Sequence, residues 1–307
     1  MTSLLNTTFC GVEFENPLIL PSGIITEIPA HKKAEDAGAG GVTLKSFTVQ
    51  PREGHSLPRI IKYDHGFLNS VGLRNAGIEK GKEAVKEYFL HARVPTIVSV
   101  FATNVKDFVQ LLETFAPLHP AMIELNLSCP NVEDEFGKPT GDEVESAARV
   151  VREAKKIVRN IPLIAKLSPN LPTIVDIAKT CEAEGINGLS AINTVGPGMV
   201  IDIKTKKPVL GHLKGGVSGP GIFPIAVAKI YDLYEAVKIP IIGMGGVTSW
   251  QNAVEIMMAG ASLVGVGSAV YSKGYGVFEE IKAGMIKYME ENGVGSVQEM
   301  VGIAHQR

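Results

Sequence analysis

A chain of 307 residues is too long for one small module and suits one large α/β barrel, although two domains of roughly 150 residues fit the length as well. Hydrophobic residues are 45% and charged residues 20% of the chain, which supplies a sizeable core and excludes disordered and collagen-like proteins. The net charge of −2 leaves no basic excess for nucleic acid or an anionic membrane. Three scattered cysteines, Cys10, Cys129 and Cys181, are too few for a disulfide framework or a metal knuckle. The start Met1-Thr2-Ser3-Leu4-Leu5-Asn6 lacks the basic and apolar regions of a signal peptide. No apolar run reaches the ~18 residues of a membrane span. The sequence therefore predicts a cytoplasmic protein in a reducing compartment.

Taken in chain order, a small hairpin is expected near residues 8–14. Short apolar runs follow at 17–20, 41–44, 96–100, 122–125, 163–165, 188–192, 239–242 and 263–266, each ending in small or polar residues. Such runs, apolar on both faces, read as buried parallel strands. The stretches between them read as helices. Residues 144–158 place Val144, Ala147, Val150, Val151 and Ala154 at helical spacing, and 174–184 and 251–259 behave likewise, with Ser249 a suitable N-cap for the last. Eight strands alternating with helices predict a (β/α)₈ TIM barrel over 1–307 as one domain. A doubly wound sheet would give the same alternation. Two insertions stand out, a long loop-like stretch at 47–76 and a Gly- and Lys-rich one at 196–220; loops of that length in a compact domain are usually functional.

The active face of such a barrel is made by the C-terminal strand ends. Here those ends carry Ser22, Lys45, Ser99, Asn126, Lys166, Asn193, Gly246 and Gly267. Polar strand ends are ordinary one at a time; a whole ring of small, amide and cationic residues is not. Gly243-Met244-Gly245-Gly246 and Gly265-Val266-Gly267-Ser268 follow the last two strands. Barrels commonly hold phosphate there, on backbone N–H groups that glycine lets approach closely. No G-x-G-x-x-G follows the first strand, so a Rossmann dinucleotide site is not supported. The segment Glu124-Leu125-Asn126-Leu127-Ser128-Cys129-Pro130-Asn131 runs off a strand into two Asn residues flanking Cys-Pro. Asn amides can fix a planar ligand rich in carbonyl and N–H groups, and a thiol near cations can act as a thiolate base. Cys10, in the hairpin, and Cys181, inside a helix, read as inert. Lys45 and Lys166 end apolar strands, where a buried ammonium needs a partner or an anion. None of the seven His residues has ligand spacing, and no metal is expected.

Together these residues resemble the dihydroorotate dehydrogenase family, class 1. The similarity runs over essentially the whole chain: Pro21-Ser22-Gly23, Leu44-Lys45-Ser46, Pro51-Arg52-Glu53-Gly54, Asn69-Ser70-Val71-Gly72-Leu73, Asn126 through Asn131, Asn193-Thr194, Gly216-Val217-Ser218-Gly219-Pro220, Gly245-Gly246 and Gly267-Ser268. The resemblance implies an FMN-containing barrel that oxidises dihydroorotate to orotate in pyrimidine synthesis, with Cys129 as general base. It implies FMN contacts from Ser22, Lys45, Ser46, Ser99, Asn126, Lys166, Ile192, Gly219, Gly245, Gly246, Gly267 and Ser268. For the substrate it implies Lys45, Asn69, Ser70, Val71, Gly72, Leu73, Asn126, Asn131, Asn193 and Thr194. Ser99 stands where the subclass 1B pattern usually has Asn. Cysteine at the base position is similar to class 1 rather than the membrane-bound class 2. Lys166-Leu167-Ser168-Pro169-Asn170 is similar to subclass 1B, which implies a homodimer joined to a partner subunit carrying FAD and a [2Fe–2S] cluster and reducing NAD. Residues 131–141 are expected to form a lid.

Other readings remain open from the sequence. Subclass 1A would reduce fumarate in the substrate pocket. A dihydropyrimidine dehydrogenase-like flavoprotein shares the barrel. A tRNA-dihydrouridine synthase would need a basic surface that this composition lacks. A flavin-free aldolase could use Lys166 as a Schiff base, and a binding barrel without turnover is the least consistent with the ring of chemical groups.

Overall fold

The computed structural model describes residues 4–128 and 143–306. Eight short strands close into a parallel barrel: β1 (Leu18–Leu20), β2 (Gly41–Thr43), β3 (Thr96–Val100), β4 (Met122–Asn126), β5 (Leu163–Lys166), β6 (Gly188–Ala191), β7 (Ile241–Met244) and β8 (Ala261–Gly265). Each strand pairs with its neighbour in sequence, and β8 returns to β1 with Val264 opposite Leu18. The predicted (β/α)₈ barrel is therefore the observed architecture, and the doubly wound sheet is excluded by closure.

The strands lack polar alternation because both of their faces are covered. On β4, Ile123 and Leu125 join the large cluster that packs against the helices, while Met122 joins an inner cluster with Ile97, Ile164, Ile242 and Leu263. The helices on the outside are α1 (Lys32–Asp36), α2 (Gly77–Phe89), α3 (Val105–Phe115), α4 (Val144–Ile157), α5 (Ile174–Ala183), α6 (Phe223–Ala236), α7 (Trp250–Met258), α8 (Ala269–Lys273) and α9 (Val277–Asn292). Helix α4 buries Ala147, Val150, Val151 and Ala154, the stripe its sequence spacing predicts. Ser249 caps α7 by accepting from the Asn252 N–H at 3.3 Å, and Asn104 caps α3 by accepting from the Asp107 N–H at 2.9 Å. Among the described residues, no helix is long and apolar enough to cross a membrane.

The hairpin of Thr7–Phe9 and Val12–Phe14 turns through Cys10 and Gly11, both at positive φ. Its Phe9 and Phe14 are 0% and 2% exposed and belong to the inner cluster. Phe9 lies against Gly188 at the start of β6, and Phe14 lies against Gly41 at the start of β2. The hairpin thus plugs the N-terminal mouth of the barrel, opposite the face that carries the polar strand ends.

The two insertions do more than the sequence suggests. Residues 47–76 are not simply loop-like: they contain the hairpin Ile60–Tyr63 and Gly66–Asn69. That hairpin continues into Gly215–Ser218 and Val195–Gly198 from the second insertion, giving one four-stranded antiparallel sheet above the barrel. Asn69 stands opposite Gly216 in this register. The sequence signal is weak because the pairing that joins the two insertions, Gly66–Asn69 with Gly215–Ser218, is distant in the chain, and the second insertion is rich in glycine, which has poor strand propensity.

Phe9→Ala should destabilise the fold by roughly 3–5 kcal/mol, the range for emptying a large buried aromatic site. Chemical denaturation would measure it, and a change below about 1 kcal/mol would show that the hairpin is not a plug.

Candidate active site

Strand register brings the predicted side chains to one face. Lys166 ends β5 directly opposite Asn126, which ends β4. Lys45 lies two residues beyond β2, and Asn193 and Thr194 lie just beyond β6. A single cavity at the C-terminal mouth is lined by Ser22, Lys45, Ser46, Asn69, Val71, Gly72, Leu73, Asn126, Lys166, Asn193 and Thr194, with Gly23 added by the structure. Residues from five strand ends and from the first insertion therefore meet in one place. Lys45 is 6% exposed and Lys166 4%, so the sequence expectation of buried ammonium groups is met. Cys129 and Asn131, and the expected lid at 131–141, lie outside the described residues.

Below the cavity runs a chain of hydrogen bonds. Lys166 Nζ donates to Ser22 Oγ at 3.1 Å, and Ser22 Oγ donates to Glu124 Oε1 at 3.0 Å. Ser99 Oγ donates to the same carboxylate oxygen at 2.7 Å. Because the one Ser99 proton is committed there, its 2.8 Å contact with Ser46 Oγ must have Ser46 as donor. Asn126 Nδ2 in turn donates to Ser46 Oγ at 3.1 Å, while its Oδ1 accepts from Ser128. Asn193 Nδ2 donates to the Ser128 carbonyl at 2.8 Å. Ser99 is wholly buried and supports Ser46 from beneath rather than lining the cavity. Glu124, 1% exposed, was not anticipated as a site residue; the only hint was a charged side chain inside an apolar strand.

The wall from the first insertion is braced from behind. Asn69 Nδ2 donates to the Gly216 carbonyl at 3.2 Å, and Arg52 Nε donates to the Gly72 carbonyl at 3.2 Å. Ser70 is buried and pairs with His55 Nδ1 at 2.7 Å, and the His55 ring stacks on His212 with centroids 3.8 Å apart. Gly72 has φ +69°, and a Cβ there would stand 2.6 Å from the His55 nitrogen, so only glycine fits.

The glycine residues expected to meet phosphate lie on the neighbouring rim. Gly245 and Gly246 have φ +131° and +78°. A Cβ on Gly246 would fall 2.7 Å from the Gly219 carbonyl oxygen, and one on Gly245 would fall 3.1 Å from Ile192 Cγ1. Ile192, Gly219, Gly245 and Gly246 are thus contiguous, and Gly267 and Ser268 follow β8 beside Pro21 and Ile24. A cavity with two buried ammonium groups, several amides and an adjoining glycine rim fits an anionic, planar, hydrogen-bonding group such as FMN.

Comparison with known proteins adds the decisive observation: the profile of the family described as dihydroorotate dehydrogenase matches residues 4–289. The chain belongs to the dihydroorotate dehydrogenase family. It is 42% identical over 304 residues to the protein named dihydroorotate dehydrogenase B (NAD(+)), catalytic subunit, of Pyrococcus horikoshii, covering 98% of each chain. The identically named proteins of Pyrococcus furiosus and Methanothermobacter thermautotrophicus are 44% and 40% identical, covering 96% and 99% of this chain and 97% and 100% of theirs. Within this dihydroorotate dehydrogenase family member, the two described cysteines are chemically quiet. Cys10 donates to the Asn187 carbonyl at 3.1 Å, and Cys181 is buried in α5. Burial pushes both thiols up to about 12.

Raised this far by burial, both thiols stay protonated, and so unreactive, at pH 8. A disulfide reagent should therefore label at most one thiol in the folded protein, and Cys129→Ser should abolish that labelling. All three should react after denaturation. Labelling that persists in the Cys129→Ser variant would contradict the assignment of Cys10 and Cys181 as inert.

Proposed function

We propose that this protein oxidises (S)-dihydroorotate to orotate with bound FMN in de novo pyrimidine biosynthesis. The observation that carries the reading is one cavity walled jointly by Lys45, Asn69, Asn126, Lys166 and Asn193, in a chain whose close relatives bear the name of that enzyme. FMN is assigned to Ser22, Lys45, Ser46, Asn126, Lys166, Ile192, Gly219, Gly245, Gly246, Gly267 and Ser268, with Ser99 acting from beneath. Substrate is assigned to Lys45, Asn69, Gly72, Leu73, Asn126, Asn131, Asn193 and Thr194, with Ser70 and Val71 shaping the same wall.

Dihydroorotate must lose a proton from C5 and a hydride from C6. Cys129, as thiolate, takes the proton. Bound FMN supplies the hydride acceptor. Lys45 and Lys166 offset negative charge that accumulates in the cavity, and the Asn side chains hold the planar ring of the substrate by its carbonyl and N–H groups. Asn69, braced on Gly216, ties substrate contact to the sheet built from both insertions.

The electrons must then leave. The name of the relatives specifies a catalytic subunit and NAD(+), which supports a separate partner. That partner would carry FAD and a [2Fe–2S] cluster and reduce NAD, in a heterotetramer built on a homodimer of this chain in the cytoplasm. Met199, Ile201, Ile203 and Leu213 are exposed apolar residues on the second insertion, Ile203 at 87%, and they support a subunit contact there.

The purified chain should be yellow, release its flavin on acid precipitation, and bleach with dihydroorotate in the absence of oxygen. Cys129→Ala should slow that bleaching by roughly 10²–10⁴, the usual scale for losing a general base, while orotate still binds. Bleaching at the normal rate would remove Cys129 from the reaction. In the unsubstituted chain the rate should rise with pH as the thiolate forms, since a free cysteine has a pKa near ~8.5.

The isolated chain should reduce an artificial dye but little NAD, and adding the partner should confer NAD reduction. Efficient fumarate reduction by the chain alone would instead place it with subclass 1A.

A further inference from the structure

The chain of hydrogen bonds beneath the cavity has a direction. A serine hydroxyl carries one proton, so a hydroxyl that donates to a carboxylate can only accept from its other neighbour. Two series of donors therefore run toward one atom, Glu124 Oε1. One passes from Lys166 through Ser22. The other passes from Asn126 through Ser46 and Ser99. With Asn126 Oδ1 held by Ser128, the remaining N–H bonds of Asn126 and of the Lys166 ammonium are left for the cavity they line.

Glu124 also solves a charge problem. A buried ammonium without compensation is costly. Among the described residues, no carboxylate lies within ion-pairing distance of Lys166, and the nearest one connected to it is Glu124, one hydroxyl away. The carboxylate itself sits inside the barrel on β4, above Met122 and below Asn126. An apolar side chain there would fill the same space, so packing alone does not call for an acid.

We propose that Glu124 is a positioning residue that makes the cavity floor a donor surface, acting through Ser22 on Lys166 and through Ser99 and Ser46 on Asn126. It also balances the Lys166 charge, so it sets how readily the bound flavin is reduced. The inference rests on the proposed FMN and dihydroorotate chemistry, and goes beyond it by assigning a role to a residue that touches neither ligand.

The test uses the full chain, deflavinated and titrated with FMN, and the reloaded protein equilibrated with a reference dye. In Glu124→Gln the side-chain shape is kept but the charge is lost and the amide adds donors. The uncompensated Lys166 should then favour the electron-rich reduced flavin. The two-electron reduction equilibrium should shift toward reduction by at least tenfold, about 30 mV for such a couple. Glu124→Asp restores the charge and should bring the equilibrium back to within about threefold of the unsubstituted protein, a rescue that a purely space-filling role would not produce. Ser99→Ala keeps the charge and cuts only the Asn126 arm. It should leave the equilibrium within about threefold and weaken FMN or orotate binding roughly two- to tenfold, the value of one net hydrogen bond.

An unchanged equilibrium in a folded Glu124→Gln variant overturns the proposal while leaving the functional reading intact. If Glu124→Gln fails to fold, Ser99→Ala decides: unchanged affinity for both ligands overturns the proposal. If the unsubstituted chain binds no FMN, or orotate does not perturb its flavin spectrum, the functional reading fails and the proposal falls with it.

Discussion

Positive charge held out of water is the constraint around which this barrel's upper half is organised. Lys166 is almost wholly buried at the end of an apolar strand, where an isolated ammonium would be expensive. Among the described residues, that cost is met with hydroxyls and one carboxylate rather than with a direct ion pair. A direct pair would satisfy Lys166 and also silence it. The Ser22 intermediary keeps the ammonium at the cavity wall with hydrogen-bonding capacity to spare. The same carboxylate draws in Ser99 and, behind it, Ser46 and Asn126, so one buried acid is linked to two cavity-lining groups on different strands.

The two ends of the barrel are built by different physics. At the N-terminal mouth, Phe9 and Phe14 of the hairpin close the lumen with hydrocarbon, and the inner cluster continues upward through Ile97, Ile164 and Ile242. Halfway up three adjacent strands, β3, β4 and β5, the inward side chain becomes polar: Ile97 is followed by Ser99, Met122 by Glu124, and Ile164 by Lys166. Two residues along a strand return to the same face, so this change marks a boundary between a packed layer and a reactive one. The packed layer gives the polar layer a rigid floor, which is what a site of fixed donors requires.

Above the mouth, the two insertions form one sheet, and this couples the cavity wall to distant chain. Asn69 reaches the cavity while its amide is anchored on Gly216, 147 residues later. The His55–His212 stack ties the same two segments together a second time. Gly72 can follow Ser70 and Val71 around this corner only because it has no side chain to strike His55. The wall is therefore a cross-braced panel.

Much of this was legible in the chain alone. Short doubly buried strands, helical stripes such as Ala147–Val150–Val151–Ala154 and the Ser249 cap are local patterns, and local patterns survive in sequence. The polar strand ends were legible too, since Ser22, Lys45, Asn126, Lys166 and Asn193 each follow an apolar run. What sequence could not carry was anything decided by pairing between distant segments. The hairpin at 60–69 looked loop-like because the strand that ties it into a sheet, Gly215–Ser218, lies far along the chain and is glycine-rich. Ser99 read as a ligand contact, and only the closed barrel shows its hydroxyl spent on Glu124 and Ser46. Glu124 carries no legible role in the sequence, because a lone acid in an apolar strand acquires meaning only when three other strands deliver Ser22, Ser99 and Lys166 around it. Periodicity determines which side chains face inward; the closure of the barrel decides which of them meet.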